Sequence, residues 1–317
     1  MTNFAIYVHR RASPGLTLFL PTLLRVANTL AAKPLYAVSL VGDAGDEVRI
    51  GPVLVALDVA APPADVLVVP PIETFDGVFE ALPEESAFLL RYAESGAMIA
   101  SACLGSLMLA AAGLLDGRRA TTHWYRAELA RKLFPAVSWN EAAMICDDGS
   151  VVTSGGFLSA VDLVLYLIAK TSSLRLAQDV GRYVLAESVR ERQSLYAYAL
   201  APRAESGLLS GLPEWLEERL GGPVSVAAMA EAFFMSVRNF HRVFLQEFGI
   251  PPHRYVQLRR VERARDLLED PRRSLKTVLD EVGVSDAVSF RRVFQRELGL
   301  SPAAYRTRVT AFPHKEF

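Results

Sequence analysis

The sequence predicts an α/β domain, a parallel sheet with helices on both faces, followed by a smaller all-α domain. Three observations predict it. Over roughly the first 200 residues, short apolar runs alternate with segments of helical periodicity, the pattern of strands joined by crossover helices. Those apolar runs are near-continuous, as expected of strands covered on both faces. The last hundred or so residues instead carry a repeated helical unit. A length of 317 residues fits two domains.

The elements follow in order. FAIYVH (4–9) reads as a buried strand, and LTLFLPTLLRVANTLA (16–31) as a helix with Pro21 early in it. LYAVSLVG (35–42) and DVLVVP (65–70) are further strands. EESAFLLRYAESG (84–96) is a helix closed by Gly96, and AMIASA (97–102) is the strand that leads to Cys103. AMICDDGSVVTSGG (143–156) reads as a hairpin turning at Asp148-Gly149. Helices over 157–170 and 173–187 complete the domain, set at residues 1–196. A polar stretch punctuated by Pro and Gly then places a linker at 197–212, leaving 213–317 as the second domain.

Composition narrows the classes. The chain is 51% hydrophobic and 22% charged, enough to bury sizeable cores. No apolar run reaches the ~18 residues of a membrane span. The N-terminus lacks the pattern of a signal peptide, so a cytoplasmic protein is expected. Two cysteines, Cys103 and Cys146, are too few for a disulfide framework. The histidines at 9, 123, 241, 253 and 314 show no metal-ligand spacing, and no metal or cofactor is expected. From Pro213 onward there are 17 Lys+Arg, nearly all Arg, against 14 Asp+Glu. That modest excess fits a tail that meets nucleic acid.

In the tail, FHRVFLQEFGIPPHRY (240–255) aligns with FRRVFQRELGLSPAAY (290–305) at an offset of 50. Upstream the offset is 49, matching Ser225 to Ser274 and Ser236 to Ser285, which places one inserted residue between Ser285 and Phe290. Each copy reads as a capped short helix, a turn, and a second capped helix opened by Ser236 or Ser285. That second helix buries Phe240 and Phe244, or Phe290 and Phe294. It exposes Arg238, Asn239, His241 and Arg242 in the first copy, and Ser289, Arg291, Arg292 and Gln295 in the second. A helix, a tight turn and a polar second helix form the layout that enters a DNA major groove. Arg can pair with guanine, and Asn or Gln with adenine. The amphipathic helix 252–270 joins the copies and could hold the reading helices one DNA turn, ~34 Å, apart. Its Arg259, Arg260, Arg263 and Arg265 fit either a solvated face or phosphate contacts. SVRNFHRVFLQEFGIPPHRY and GVSDAVSFRRVFQRELGLSPAAYR resemble the two signatures of AraC/XylS-type DNA-binding domains.

The run IASACLGSLMLAAAGLLDGRRATTHW (99–124) resembles the PfpI-like, class-I glutamine-amidotransferase-like superfamily, and within it the GlxA-type regulators that carry an AraC-type tail. The resemblance implies a flavodoxin-like domain in which Cys103 sits on a strand-to-helix elbow, where a helix N-terminus would favour thiolate. The enzymatic members' other groups are not visible. Leu104 stands where their His follows the Cys, Thr17 stands near their carboxylate, and Pro70-Pro71 replaces a Gly-Gly that offers N–H groups. The domain therefore reads as a non-catalytic sensor of a small-molecule effector, with Cys103, Ser101, Thr122 and His123 at the site and the loop His9 to Pro14 as a wall. His123 also fits a structural place in its turn. The resulting expectation is a sequence-specific transcription regulator, not an enzyme. It would be homodimeric, bind double-stranded promoter DNA, and have RNA polymerase as a candidate partner. The rival readings are a cysteine-dependent hydrolase or amidase with a DNA-binding tail, and a regulator that has lost ligand control.

Overall fold

The computed structural model describes residues 1–43, 45–73, 79, 82–186, 192–193, 201 and 207–310. The chain divides into two compact units, Met1–Gln193 and Ser194–Phe317. Most of the segment read as a linker lies outside the described residues. Its end does not behave as one: Leu209 and Leu212 are fully buried in the core of the second unit.

In chain order the first unit runs β1 (Thr2–Tyr7), α1 (Pro14–Leu30), β2 (Tyr36–Val41), β3 (Glu47–Ile50), β4 (Val53–Ala56), β5 (Val66–Val69), α2 (Pro83–Glu94), β6 (Met98–Ala102) and α3 (Gly105–Ala111). It continues with β7 (Arg119–Ala120), α4 (Ala127–Leu133), β8 (Ser138–Trp139), β9 (Ile145–Asp148), β10 (Val151–Ser154), α5 (Ser159–Thr171) and α6 (Leu174–Tyr183). Six strands form one sheet in the order β2-β1-β5-β6-β10-β9. All neighbours are parallel except β10 and β9, the hairpin read from Asp148-Gly149. The alternation of side chains splits each strand between two cores. Phe4 and Ile6 of β1 join α1 and α5 on one face. Ala5 and Tyr7 join α2 and α3 on the other. Burial of both faces is what makes these strands apolar throughout.

The chain leaves β1 outward to β2 and then returns across the sheet to β5. This reversal makes the β1/β5 boundary a topological switch point, where a crevice forms outside the carboxyl ends of the strands. His9, Pro70-Pro71 and Cys103 all follow directly on those ends.

The second unit is all helical among its described residues: α7 (Leu212–Glu217), α8 (Val226–Ala232), α9 (Val237–Phe248), α10 (Pro252–Leu268), α11 (Leu275–Glu281), α12 (Ala287–Leu298) and α13 (Pro302–Thr310). The repeat seen in the sequence is a repeat of structure. Phe244 meets the edge of Tyr255 at 5.5 Å, and Phe294 meets Tyr305 in the same way at 5.9 Å. The inserted residue, however, lies earlier than the alignment placed it. Asp286, not Ser285, caps α12, accepting from the N–H groups of Val288 (3.0 Å) and Ser289 (3.1 Å). Ser236 caps α9 by accepting from Asn239 N–H. The extra residue therefore sits in the turn, and a carboxylate one position on takes the capping role.

The two turns bend through the left-handed region at Phe234 (φ 55°) and Gly283 (φ 67°). Phe234 is 99% exposed, so its side chain meets no obstacle. At Gly283 a Cβ would come within 2.5 Å of the Leu220 carbonyl oxygen, so only glycine fits there.

Candidate functional site

Cys103 links β6 to α3 with φ 56°, a left-handed conformation for a residue that carries a side chain. Hydrogen bonds to both of its backbone polar groups hold it. Its N–H donates to the Ser154 carbonyl (2.9 Å), and its own carbonyl accepts from Ser106 Oγ (2.9 Å) and Thr122 Oγ1 (3.2 Å). The helix behind it is pressed onto the end of β5, since a Cβ on Gly105 would lie 2.9 Å from the Pro70 carbonyl oxygen. The elbow implied by the resemblance is present.

The thiolate that a helix start would favour is not. Cys103 is fully buried, and burial pushes its thiol up to about 12 against the smaller lowering pull of the Leu104 N–H. Desolvation outweighs the helix start, so the group is a neutral thiol at physiological pH. Thr122, placed at the mouth of the site by the sequence, is buried and donates to the elbow's carbonyl. The side chain of His123 faces its own turn, Nδ1 accepting from Tyr125 N–H (3.1 Å), and its ring lies 5.4 Å from that of Trp124. Burial lowers its pKa. The first turn of α1 carries no acidic residue. Iodoacetamide is therefore expected to label Cys103 slowly, at a rate that stays flat from pH 7 to 9. In denaturant the thiol should react like a free cysteine with its pKa near 8.5. Fast labelling in the folded state that rises across this range would show a thiolate-forming cysteine.

Polar atoms without hydrogen bonds collect at this same edge. Tyr7 Oη, both ring nitrogens of His9, Thr17 Oγ1 and Ser101 Oγ are all buried and lack a partner of normal geometry. Tyr7 stacks on Phe88 at 4.4 Å and lies 5.1 Å from the His9 ring. Burial, aided by the nearby Arg11 charge, lowers the pKa of His9 to about 3, with the Pro70 carbonyl pulling weakly the other way. His9 is thus neutral. Arg11 forms an ion pair with the buried Glu85 and stands over the Phe79 ring at 5.1 Å. Nearly all buried polar groups in folded proteins are satisfied, so such a concentration sets this edge apart from the rest of the unit. Ser101 was expected here and His9 was expected in the wall. Tyr7 was missed, because in the sequence it is one more apolar position of a strand. Among the described residues no group of His, Cys, Asp or Glu could hold a metal ion.

In the second unit, all eight residues expected to face DNA are exposed: Arg238, Asn239, His241 and Arg242 on α9, and Ser289, Arg291, Arg292 and Gln295 on α12. The opposite faces bury Phe240, Phe244, Phe290 and Phe294. Arg242 is held by neutral neighbours, Asn239 Oδ1 and Gln246 Oε1, both at 2.9 Å. The arginines of α10 differ. Arg259 pairs with Glu217 (2.9 Å) and Glu262 (3.1 Å), and Arg260 donates to the Gly222 carbonyl (2.9 Å). Arg265 lies beside Asp266, with its side chain 9% exposed. These three hold the unit together and form no solvated face; Arg263, near Glu217, stays half-exposed. Among the described residues, Arg238, Arg242, Arg291 and Arg292 form no salt bridge.

Comparison with known proteins agrees with both halves of this description. The DJ-1/PfpI family model matches residues 38–170, and a helix-turn-helix domain model matches residues 229–308. The HTH-type transcriptional regulator CdhR of Pseudomonas aeruginosa is 28% identical over 235 residues, covering 73% of this chain and 69% of that protein. The HTH-type transcriptional regulator GlxA of Rhizobium meliloti is 28% identical over 225 residues, covering 69% and 68%. Among solved structures, an AraC family transcriptional regulator from Pseudomonas putida matches with a TM-score of 0.51 at 19% identity, over 58% of this chain and 100% of that one. A ThiJ/PfpI family protein from Pseudomonas syringae matches with a TM-score of 0.50 at 22% identity, over 68% and 86%. At these identities the structural matches speak for the fold alone. The chain joins a domain similar to the DJ-1/PfpI family to a helix-turn-helix domain, and relatives that match most of its length are HTH-type transcriptional regulators.

Proposed function

We propose that this protein is a sequence-specific DNA-binding transcription regulator, controlled by a small molecule bound at the carboxyl edge of its sheet. One observation carries the reading. Most arginines of the second unit whose partners are described are committed to carboxylates or carbonyls, whereas Arg238, Arg242, Arg291 and Arg292, which form no salt bridge among the described residues, stand on the exposed faces of the two equivalent helices α9 and α12. Guanidinium groups held that way suit phosphate oxygens and the acceptor edge of guanine. The four side chains with unpartnered polar atoms beside the elbow support the effector, because a ligand can satisfy them. The buried neutral thiol and the absence of a carboxylate in the first turn of α1 support a domain without catalysis. A homodimer in the cytoplasm that meets RNA polymerase at a promoter completes the reading. Among the described residues no helix is long and apolar enough to cross a membrane.

The test selects binding sites from a random-sequence duplex library with the purified full-length chain. A bipartite motif should be enriched, and its affinity should fall steeply with salt. No enriched motif would overturn the DNA reading. A metabolite panel should contain a compound that raises the melting temperature and shifts affinity for the selected duplex, because a ligand acts only by binding one arrangement better than another. Cys103→Ala should leave both responses in place. Hydrolysis of amides or aldehyde adducts by the parent and not by this variant would establish the enzyme reading instead.

A further inference from the structure

The two reading helices have the same frame and different faces. Both contain twelve residues, both open on a side-chain cap, and both end at a left-handed glycine, Gly249 or Gly299. The caps Ser236 and Asp286 stand 50 residues apart, and that offset fixes which positions correspond. Arg242 corresponds to Arg292, His241 to Arg291, Asn239 to Ser289 and Arg238 to Val288. The last pair is the sharpest difference. At one position the first helix carries a guanidinium, and the second carries two methyl groups.

Val288 is not part of the core. It is 59% exposed and absent from the cluster that holds its neighbours Ala287 and Val293. It stands three and four residues before Arg291 and Arg292, so the three share one face, with Val288 a turn nearer the helix start. A β-branched residue in an exposed first turn does little for the helix. The N-terminal residues of a reading helix are those that contact base edges. In the major groove the apolar feature is the C5 methyl of thymine, and small aliphatic side chains read it by contact. Resting on the DNA-binding reading above, we infer that Val288 recognises a thymine methyl in the subsite of α12, where Arg238 reads a hydrogen-bonding base edge in the subsite of α9. Each chain then recognises two unlike subsites in a fixed order.

Replacing thymine by deoxyuracil tests this directly, since it removes the methyl and leaves base pairing intact. In the selected duplex, one thymine of the α12 subsite should be sensitive. Its replacement should weaken binding about fourfold, the effect of one buried methyl group. Val288→Ala should bind the thymine and uracil duplexes equally. Its melting temperature should match the parent's, since the side chain is outside the core. Arg238→Val should make a thymine in the α9 subsite newly sensitive on reselection. Enrichment of a motif in which no thymine is methyl-sensitive, or sensitivity that persists in Val288→Ala, overturns the inference and leaves the regulator standing. Failure to enrich any motif removes both.

Discussion

Arg242→Ala and Arg292→Ala are each expected to weaken binding of the selected duplex by about 1–3 kcal/mol, roughly 5- to 150-fold. Arg242 is placed for this by Asn239 and Gln246, which fix the guanidinium without neutralising it. A bidentate contact loses less side-chain entropy when the fork is already held. Neither arginine forms a salt bridge, so removing it leaves no buried carboxylate unpaired, and the loss reports on DNA rather than on folding. Fluorescence anisotropy titrations at two or more salt concentrations separate the kinds of contact. A residue that reads a base should lower affinity for the selected site more than for random DNA. One that grips phosphate should weaken both alike and reduce the salt slope by about one. If both variants keep the parent's affinity and slope, the faces of α9 and α12 do not meet DNA.

Gln193→Leu is expected to destabilise the first unit by about 3 kcal/mol or more, read as a lower midpoint in denaturant. The Gln193 side chain is fully buried. Its Oε1 accepts from the N–H groups of Trp124 (3.2 Å) and Gly156 (3.1 Å). Its Nε2 donates to the Thr122 carbonyl (2.7 Å), Thr121 Oγ1 (3.0 Å) and the Ala143 carbonyl (3.2 Å). Leucine has a similar volume and none of these bonds, and each buried group left unpaired costs about 1–3 kcal/mol. Gln193→Glu should also destabilise, because it sets carboxylate oxygens against the Thr122 and Ala143 carbonyls. If Gln193→Leu unfolds at the parent's midpoint, these bonds do not hold the unit together. The amide ties three separate stretches of chain to the last residue of the unit. One of them, through Thr122, supports the carbonyl of the elbow.

The sequence disclosed what depends on neighbours along the chain. The strand runs, the elbow at Cys103, the phenylalanine pairs of α9 and α12, and three of the four tail caps all follow from local spacing. It disclosed less of what depends on distant partners. Gln193 lies in a polar stretch, and the groups it binds are 37 to 72 residues away. The roles of Arg259 and Arg260 rest on Glu217 and Gly222, which are also remote in the chain. Whether Cys103 ionises was not legible for the same reason, since the helix start is local while the burial that overrides it comes from the whole α2–α3 face. At the second turn, a carboxylate one residue beyond the aligned serine took over the cap, a choice that alignment by residue type hides.

The continuous helix between the two motifs has a consequence for phase. α10 runs unbroken from Pro252 to Leu268, and Arg254 ties its first turn to Glu297 of α12. Seventeen helical residues make a strut of about 25 Å. A strut fixes rotation around the DNA axis as well as distance along it. One base pair inserted between the subsites turns the second away by about 34°, and five put it on the opposite side of the duplex. Ten restore the facing but move the subsite a full turn away, so binding lost at five is not expected to return at ten.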